Sequence, residues 1–351
     1  MNSAEDNAAS SAAGSAAGSA AANAAANATT TIETRLTQLW GMEKPIIGAP
    51  MAGRAGGELA AAVSRAGGLG MFGVGAGTSA EWIRENAAVA AEAGVYGIGV
   101  IVWALEERPE QWEAVLEAKP TVVSLGFGDP AAYVASAHEA GISVVAPVND
   151  ISQLRQALAA EVDAICVQGA DAGGHTGRHI GTMPLMQLVL DYIELNAPGI
   201  PVAVAGGIGT GRGVAACLAA GADAVWVGTA LLGSPESVGS DALREAAVAA
   251  GSHQTVLTDV YDRAEQVAWD TEKWPTRTVR NAFVDVFAPL SAAGEVTDEE
   301  LVAARSTGGD FADELKLHAG QGIGLLRGQV AAEEVVRKLH EDAVHYLYQR
   351  R

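Results

Sequence analysis

One recurring unit constrains this chain more than any other feature. An Ala-rich, helix-forming segment ends in Ala-Gly, and a continuously apolar run follows at once. The unit occurs at Ala66-Gly67 before residues 69–72 and at Ala93-Gly94 before 96–102. It recurs at Ala140-Gly141 before 142–146 and at Ala220-Gly221 before 222–227. Glycine takes the left-handed backbone that commonly ends a helix. Strands that are apolar throughout are covered on both faces, as parallel strands between helices are. Strands are predicted to begin near Ile46, Leu69, Gly97, Val122, Ile142, Ala164, Val202 and Ala224. Helices are predicted at 57–66, 79–93, 109–118, 130–140, 150–160, 183–196 and 210–220. Eight such alternations fit a closed (β/α)8 TIM barrel, an α/β fold, with an open doubly wound sheet as the alternative.

The barrel is assigned to residues 31–235. Residues 1–30 are mostly Ala, Ser, Asn, Gly and Thr and are predicted to be a disordered, low-complexity tail. They lack the basic start and Leu-rich run of a secretory signal, and the Arg content of a transit peptide. Residues 236–320 are predicted to form a small C-terminal helical cap. In it, 236–250 reads as a helix. The charged stretch 255–282, with Trp269 and Trp274, shows no strand alternation, and 290–317 is largely helical and polar. Residues 321–351 hold a last helix with Val336, Leu339, Ala343 and Leu347 close to the 3.6-residue period. It packs on the barrel or, alternatively, offers a surface to a partner.

The net charge of −20 argues against a nucleic-acid partner, which needs a basic stripe. No apolar stretch reaches the roughly 18–20 residues of a membrane span. Cys166 and Cys217 read as reduced core thiols of a cytoplasmic protein, with a disulfide as the alternative. Neither has metal-ligand spacing, and no metal is predicted.

A barrel places its functional loops after the C-terminal ends of its strands. The unusual sequences of this chain fall there. After strand one comes Gly48-Ala49-Pro50-Met51. After strand seven comes Gly206-Gly207-Ile208-Gly209-Thr210-Gly211, and after strand eight Gly228-Thr229-Ala230. Glycines admit close backbone approach, and free amides at a helix start favour an anion. Barrels often bind phosphate at these last two loops. Arg212 either touches that phosphate or is a solvated helix residue. After strand six, Gln168 supplies an amide that both donates and accepts. Gly173 and Gly174 allow close approach, and His175 has the chemistry of a proton-transfer residue. His179 is the rival histidine, though a His175/His179 metal pair lacks a third ligand. Asp171 reads as loop surface, with His or Arg178 as alternative partners.

Gly48-Ala49-Pro50-Met51, the run from Gln168 to His175, Ala205-Gly206-Gly207-Ile208 and Gly228-Thr229-Ala230 together resemble the nitronate monooxygenase family, formerly the 2-nitropropane dioxygenases. The resemblance covers about residues 35–330. Its superfamily includes flavin-dependent enoyl-acyl carrier protein reductases and NADH:quinone reductases. The resemblance implies FMN as cofactor and a nitroalkane or nitronate, with O2, as substrates. It implies that Ala49, Pro50 and Met51 line the isoalloxazine, that Gln168 hydrogen-bonds it, and that Gly173 and Gly174 approach it. Gly206, Gly207, Gly228 and Thr229 would hold the phosphate, and His175 would be the catalytic base. NAD(P)H is the further partner that the reductase alternative requires; a flavin-free barrel binding a phosphorylated ligand is a third alternative. A homodimer is left open. The family's third strand often carries an asparagine near the flavin, where this chain has Gly99. Gln321, in Gly320-Gln321-Gly322, is a secondary candidate.

Overall fold

A computed structural model describes residues 31–349 of the chain; the predicted tail, residues 1–30, lies outside the described residues. Eight strands make the main sheet: β1 (Ile46–Gly48), β2 (Gly70–Gly73), β3 (Tyr96–Ile101), β4 (Val122–Gly126), β5 (Ser143–Val148), β6 (Ala164–Gln168), β8 (Val202–Ala205) and β9 (Ala224–Val227). A two-residue strand, β7 (Gly174–His175), lies outside it. Every pairing in the sheet is parallel, in the order β1-β9-β8-β6-β5-β4-β3-β2. The ring closes between β1 and β2 through the bridge Ile47↔Leu69, with Gly48 N–H donating to Leu69 O at 2.9 Å and Leu69 N–H to Ile46 O at 3.0 Å. This is the (β/α)8 barrel, and the open-sheet alternative falls.

The Ala-Gly units behave as their chemistry demands. Gly67, Gly94, Gly141 and Gly221 all have positive φ, so each helix turns out of its last turn without a Cβ clash. Helices Gly57–Arg65, Ala80–Ala91, Pro109–Ala118, Ala131–Glu139, Ile151–Ala159, Thr182–Asn196 and Gly211–Ala219 occupy the predicted places. Asp150 and Thr210 cap two of them by accepting from Gln153 and Gly213 N–H.

Ile47, Met71, Val122, Val145, Ala203 and Ala224 fill the ring, and Leu36 and Trp40 of the leading helix Arg35–Trp40 join the same cluster. That helix is pinned at the strand starts. Buried Asp223 accepts from Arg35 Nε at 2.8 Å, from Arg35 Nη2 at 2.6 Å and from Val202 N–H at 2.8 Å. The N-terminal mouth of the barrel is thereby stoppered, and open space is left at the other end.

Residues 255–282 depart from expectation. They contribute two strands, β10 (Thr255–Thr258) and β11 (Thr276–Val279), to an antiparallel sheet in the order β10-β11-β7. The cap is therefore helices plus a small sheet. Hydrophobic alternation cannot reveal β11, because it reads Thr-Arg-Thr-Val and buries Thr276, Arg277 and Thr278 alike. The helix predicted at 236–250 spans Asp241–Ala249. Tyr261, Phe283, Val284 and Leu301 centre the core of the cap helices Val260–Ala264, Ala282–Ala293 and Asp298–Arg305.

The helix Ala332–Val344 buries Val336, Leu339 and Ala343 against Gly211–Ala219. The two helices approach closely at Gly211, where an added Cβ would lie 2.3 Å from Asp342 Cβ. Both cysteines are buried and unbonded to each other. Burial pushes the Cys217 thiol up to about 11 and the Cys166 thiol well above its usual value. Among the described residues, no helix is long and apolar enough to cross a membrane.

Helix Gly57–Arg65 lies directly on β2. A Cβ on Gly70 would stand 1.8 Å from the Ala60 carbonyl oxygen, and no rotamer change relieves a clash with backbone. Gly70→Ala should therefore destabilise the protein by about 3 kcal/mol or more, read from urea unfolding. A change within experimental scatter would show that this contact is looser than described.

Candidate active site

Ala49, Pro50, Met51, Gln168, Gly173, Gly174, His175, Gly206, Gly207, Gly228 and Thr229 all line one cavity at the C-terminal end of the barrel. Its floor includes Cys166, Ala205 and Trp226, at the top of the barrel core. His179 and Arg212 are exposed and absent from its wall; Arg212 lies over the Tyr346 ring at 4.2 Å. Gln321 is also exposed, and it is the neighbouring Gly322 that reaches the wall.

His175 is built into the site from two directions. Its backbone belongs to β7, and its carbonyl accepts from Gln168 Nε2 at 3.2 Å. Gln168 is held in turn: Asn149 Nδ2 donates to its Oε1 at 3.2 Å, and Trp274 Nε1 donates to Asn149 Oδ1 at 3.1 Å. One Nε2 hydrogen of Gln168 remains for a ligand. The imidazole Nε2 lies 3.1 Å from Asp262 Oδ1 and 2.8 Å from Thr276 Oγ1. Thr276 donates its hydroxyl hydrogen to Asp262 Oδ2 at 2.9 Å. Both acceptors therefore want a proton on Nε2, and the hydrogen-bond network assigns the lone pair to Nδ1. A carboxylate behind a histidine also stabilises the imidazolium that proton uptake creates. Asp262 side-chain exposure is only 7% and that of His175 14%, so water screens the pair weakly.

An aromatic wall covers His175. Trp269 stacks on His175 with ring centroids 3.5 Å apart and planes at 12°. Phe127 meets Trp269, Trp274 and His175 edge-on. Phe127 also holds φ at 62°, a left-handed conformation unusual for a bulky residue. These ring contacts keep it there.

The glycine loops leave room where side chains would intrude. Gly206 and Gly207 have φ of 111° and 69°, and a Cβ on Gly206 would meet Thr182 Oγ1 at 2.4 Å. At Gly174 a Cβ would meet no atom within 4 Å and would stand in open space. Thr229 Oγ1 accepts from Gly320 N–H at 3.0 Å, which leaves its own hydrogen to donate. Gly99 has no such freedom. A Cβ there would lie 2.4 Å from Pro50 Cγ, so Pro50 fills the space a third-strand side chain would need.

Asp171 is a structural residue, contrary to the surface reading. Its carboxylate accepts from Thr182 N–H at 2.7 Å and its carbonyl from Gln321 N–H at 2.9 Å. Arg178 donates instead to the Thr271 carbonyl. Among the described residues, no group of three or more His, Cys, Asp or Glu side chains could hold a metal ion.

Four side chains at the site escaped sequence reasoning: Asp262, Thr276, His318 and Arg54. Asp262 and Thr276 lie 87 and 101 residues from His175, on elements no motif marked. His318 and Arg54 line the cavity but carry no local signature. Arg54 Nη2 donates to Ser237 Oγ at 3.1 Å, while its Nε and Nη1 are buried without a partner among the described residues. Burial, and then Arg244, lower its pKa. For His318, burial drives the pKa from 6.5 to about 3; charge on Lys316 and His175 adds to this, and Asp262 opposes it.

A depressed histidine pKa has a definite sign. As pH falls from 6.5 towards 3, the unfolded chain takes up a proton that folded His318 refuses. Its contribution to stability is whole above 6.5 and is lost progressively on acidification. His318→Leu should therefore flatten the decline of the urea midpoint across that window. Parallel curves for the two proteins would contradict the buried, neutral ring.

Comparison with known proteins concerns the family and the fold. The nitronate monooxygenase family model matches residues 33–342. A nitronate monooxygenase of Pseudomonas aeruginosa is 32% identical over 361 aligned positions, covering 88% of this chain and 98% of that protein. One from Paraburkholderia phytofirmans is 35% identical over 270, covering 64% of this chain and 72% of that protein. Among solved structures, FabK from Thermotoga maritima superposes with a TM-score of 0.76 at 28% identity, over 91% of this chain and 98% of that one. A nitroalkane oxidase from Streptomyces ansochromogenes gives 0.72 at 28%, over 89% and 98%. The chain belongs to the nitronate monooxygenase family and is an oxidoreductase.

Proposed function

We propose that this protein is an FMN-dependent nitronate monooxygenase, converting alkyl nitronates with O2 to carbonyl compounds and nitrite. The observation that carries the reading is His175: a lone-pair Nδ1, backed by Asp262 and Thr276, on the wall of a cavity that also holds two glycine loops. The residues present fit the cofactor. Gly206, Gly207, Gly228 and Thr229 offer a side-chain-poor rim with one free hydroxyl hydrogen for a phosphate. Ala49, Pro50 and Met51, with Gly173 and Gly174, offer an apolar slot for a flat ring, and Gln168 offers one amide hydrogen. When bound there, the flavin supplies a two-electron acceptor that oxygen re-oxidises.

The chain's own task is the proton. His175 Nδ1 takes the acidic α-hydrogen of a neutral nitroalkane, and Asp262 stabilises the imidazolium formed. Trp269 and Phe127 shield that exchange from bulk water. A second reading, an NAD(P)H-dependent reductase of quinones or enoyl thioesters, draws on the FabK likeness.

The purified protein should show flavin absorbance, or gain it on adding FMN; failure of both would sink the two enzyme readings. Under anaerobic conditions a preformed nitronate should bleach the flavin. Bleaching by NADH alone would replace the proposal with the reductase. His175→Ala should keep FMN and lose about 10²- to 10⁴-fold in kcat/KM on neutral nitroalkanes, while preformed nitronates remain substrates. Undiminished turnover of the neutral compound would remove His175 from the proton transfer.

A further inference from the structure

We propose that His318 is a second ligand-touching residue of the site, whose Nε2–H binds the planar, two-oxygen anionic end of the substrate. The proposal deepens the nitronate reading and rests on it for the identity of that anion.

The geometry comes from β11. One edge of this strand pairs Thr276 with His175, and the same edge carries the bridge Thr278↔His318. Thr276 and Thr278 are two residues apart, so their side chains share a face. Cross-strand partners point the same way, so both imidazoles rise on that face. Both line the cavity, with ring centroids 6.4 Å apart. The register is fixed on the same edge by Thr278 Oγ1 and Val279 N–H, which both donate to Leu317 O, at 2.9 and 2.8 Å.

Chemistry separates the two rings. Nδ1 of His318 is buried and has no hydrogen-bond partner among the described residues. A buried N–H left unpaired costs more than a bare lone pair. The proton therefore sits on Nε2, the nitrogen left to face the cavity. Tyr261 packs edge-on against the ring at 6.0 Å, and Lys316, His175 and Asp262 are the charges that act on it. Burial, helped by Lys316 and His175 and opposed by Asp262, keeps the ring neutral at any ordinary pH. One histidine of the pair can thus accept a proton, backed by a carboxylate, and the other can only donate a hydrogen bond. Opposed environments for two titratable groups mark a division of acid–base labour.

The step this serves is deprotonation. The α-C–H bond breaks and its proton goes to His175 Nδ1. The electron pair enters the C–N bond, and negative charge spreads over the two nitro oxygens. A neutral N–H at those oxygens gains strength as the charge grows. It also binds the nitronate supplied ready-made. His175 and His318 therefore differ in which substrate form needs them.

Benzoate is a planar two-oxygen anion with no acidic hydrogen, and it probes the site without turnover. It is titrated calorimetrically into the purified full-length protein. His318→Phe and His318→Leu should weaken binding by about 10- to 100-fold, and His318→Gln, which keeps an N–H, should recover most of the loss. The weakening should be equal at about pH 6 and pH 9, because the ring is neutral at both. Benzoate heat that is absent from the wild type, unchanged in both deletion variants, or lost only at the acid end would each overturn the proposal. In steady state, loss of His318 should raise KM for preformed nitronate as well as for neutral nitroalkane, unlike His175→Ala. A wild type that binds benzoate through His318 but is not reduced by nitronate would sink the nitronate reading and leave the anion site standing.

Discussion

A short run of antiparallel pairing on β11 holds the two halves of this molecule's chemistry together. Opposite Thr276 and Arg277 lie His175 and Gly174, from the loop after β6; opposite Thr278 lies His318, from the far end of the cap. Without that strand the loop after β6 would be an ordinary glycine-rich excursion. With it, the imidazole has a carboxylate and a hydroxyl behind Nε2. The barrel supplies position, and the cap supplies electrostatics.

The division explains what the sequence could disclose. The barrel strands and the Ala-Gly stops were legible because parallel strands are buried on both faces and leave unbroken apolar runs. Loops after the strands were legible because glycine, proline and a lone histidine stand out against such runs. The cap sheet was not. β11 spends its buried positions on Thr276, Arg277 and Thr278, and each is satisfied by a hydrogen bond to a distant residue. Thr276 reaches Asp262, Arg277 Nε reaches the Ala170 carbonyl at 2.9 Å, and Thr278 reaches Leu317. Polar burial of this kind follows from tertiary partners and leaves no local pattern.

The same logic applies to individual site residues. His175 and Gln168 sit beside a recognisable strand end. Asp262 lies in a five-residue helix whose sequence, Val-Tyr-Asp-Arg-Ala, offers no reason to prefer its carboxylate over the many others. Asp171 misled in the opposite direction. A loop aspartate usually faces water, but this one accepts the N–H that begins the helix Thr182–Asn196, a cap placed eleven residues away in sequence.

Pro50 and Gly99 carry a consequence for how such a barrel can diversify. The ring of Pro50 occupies the volume that a side chain at 99 would claim. A larger residue at 99 is therefore tolerated only after 50 has become smaller, and a smaller residue at 50 leaves a void until 99 has grown. Substitutions at the two positions are each harmful alone and compatible together, so their effects are non-additive. A loop residue after β1 and a residue inside β3, far apart in the chain, are thereby coupled through one shared volume.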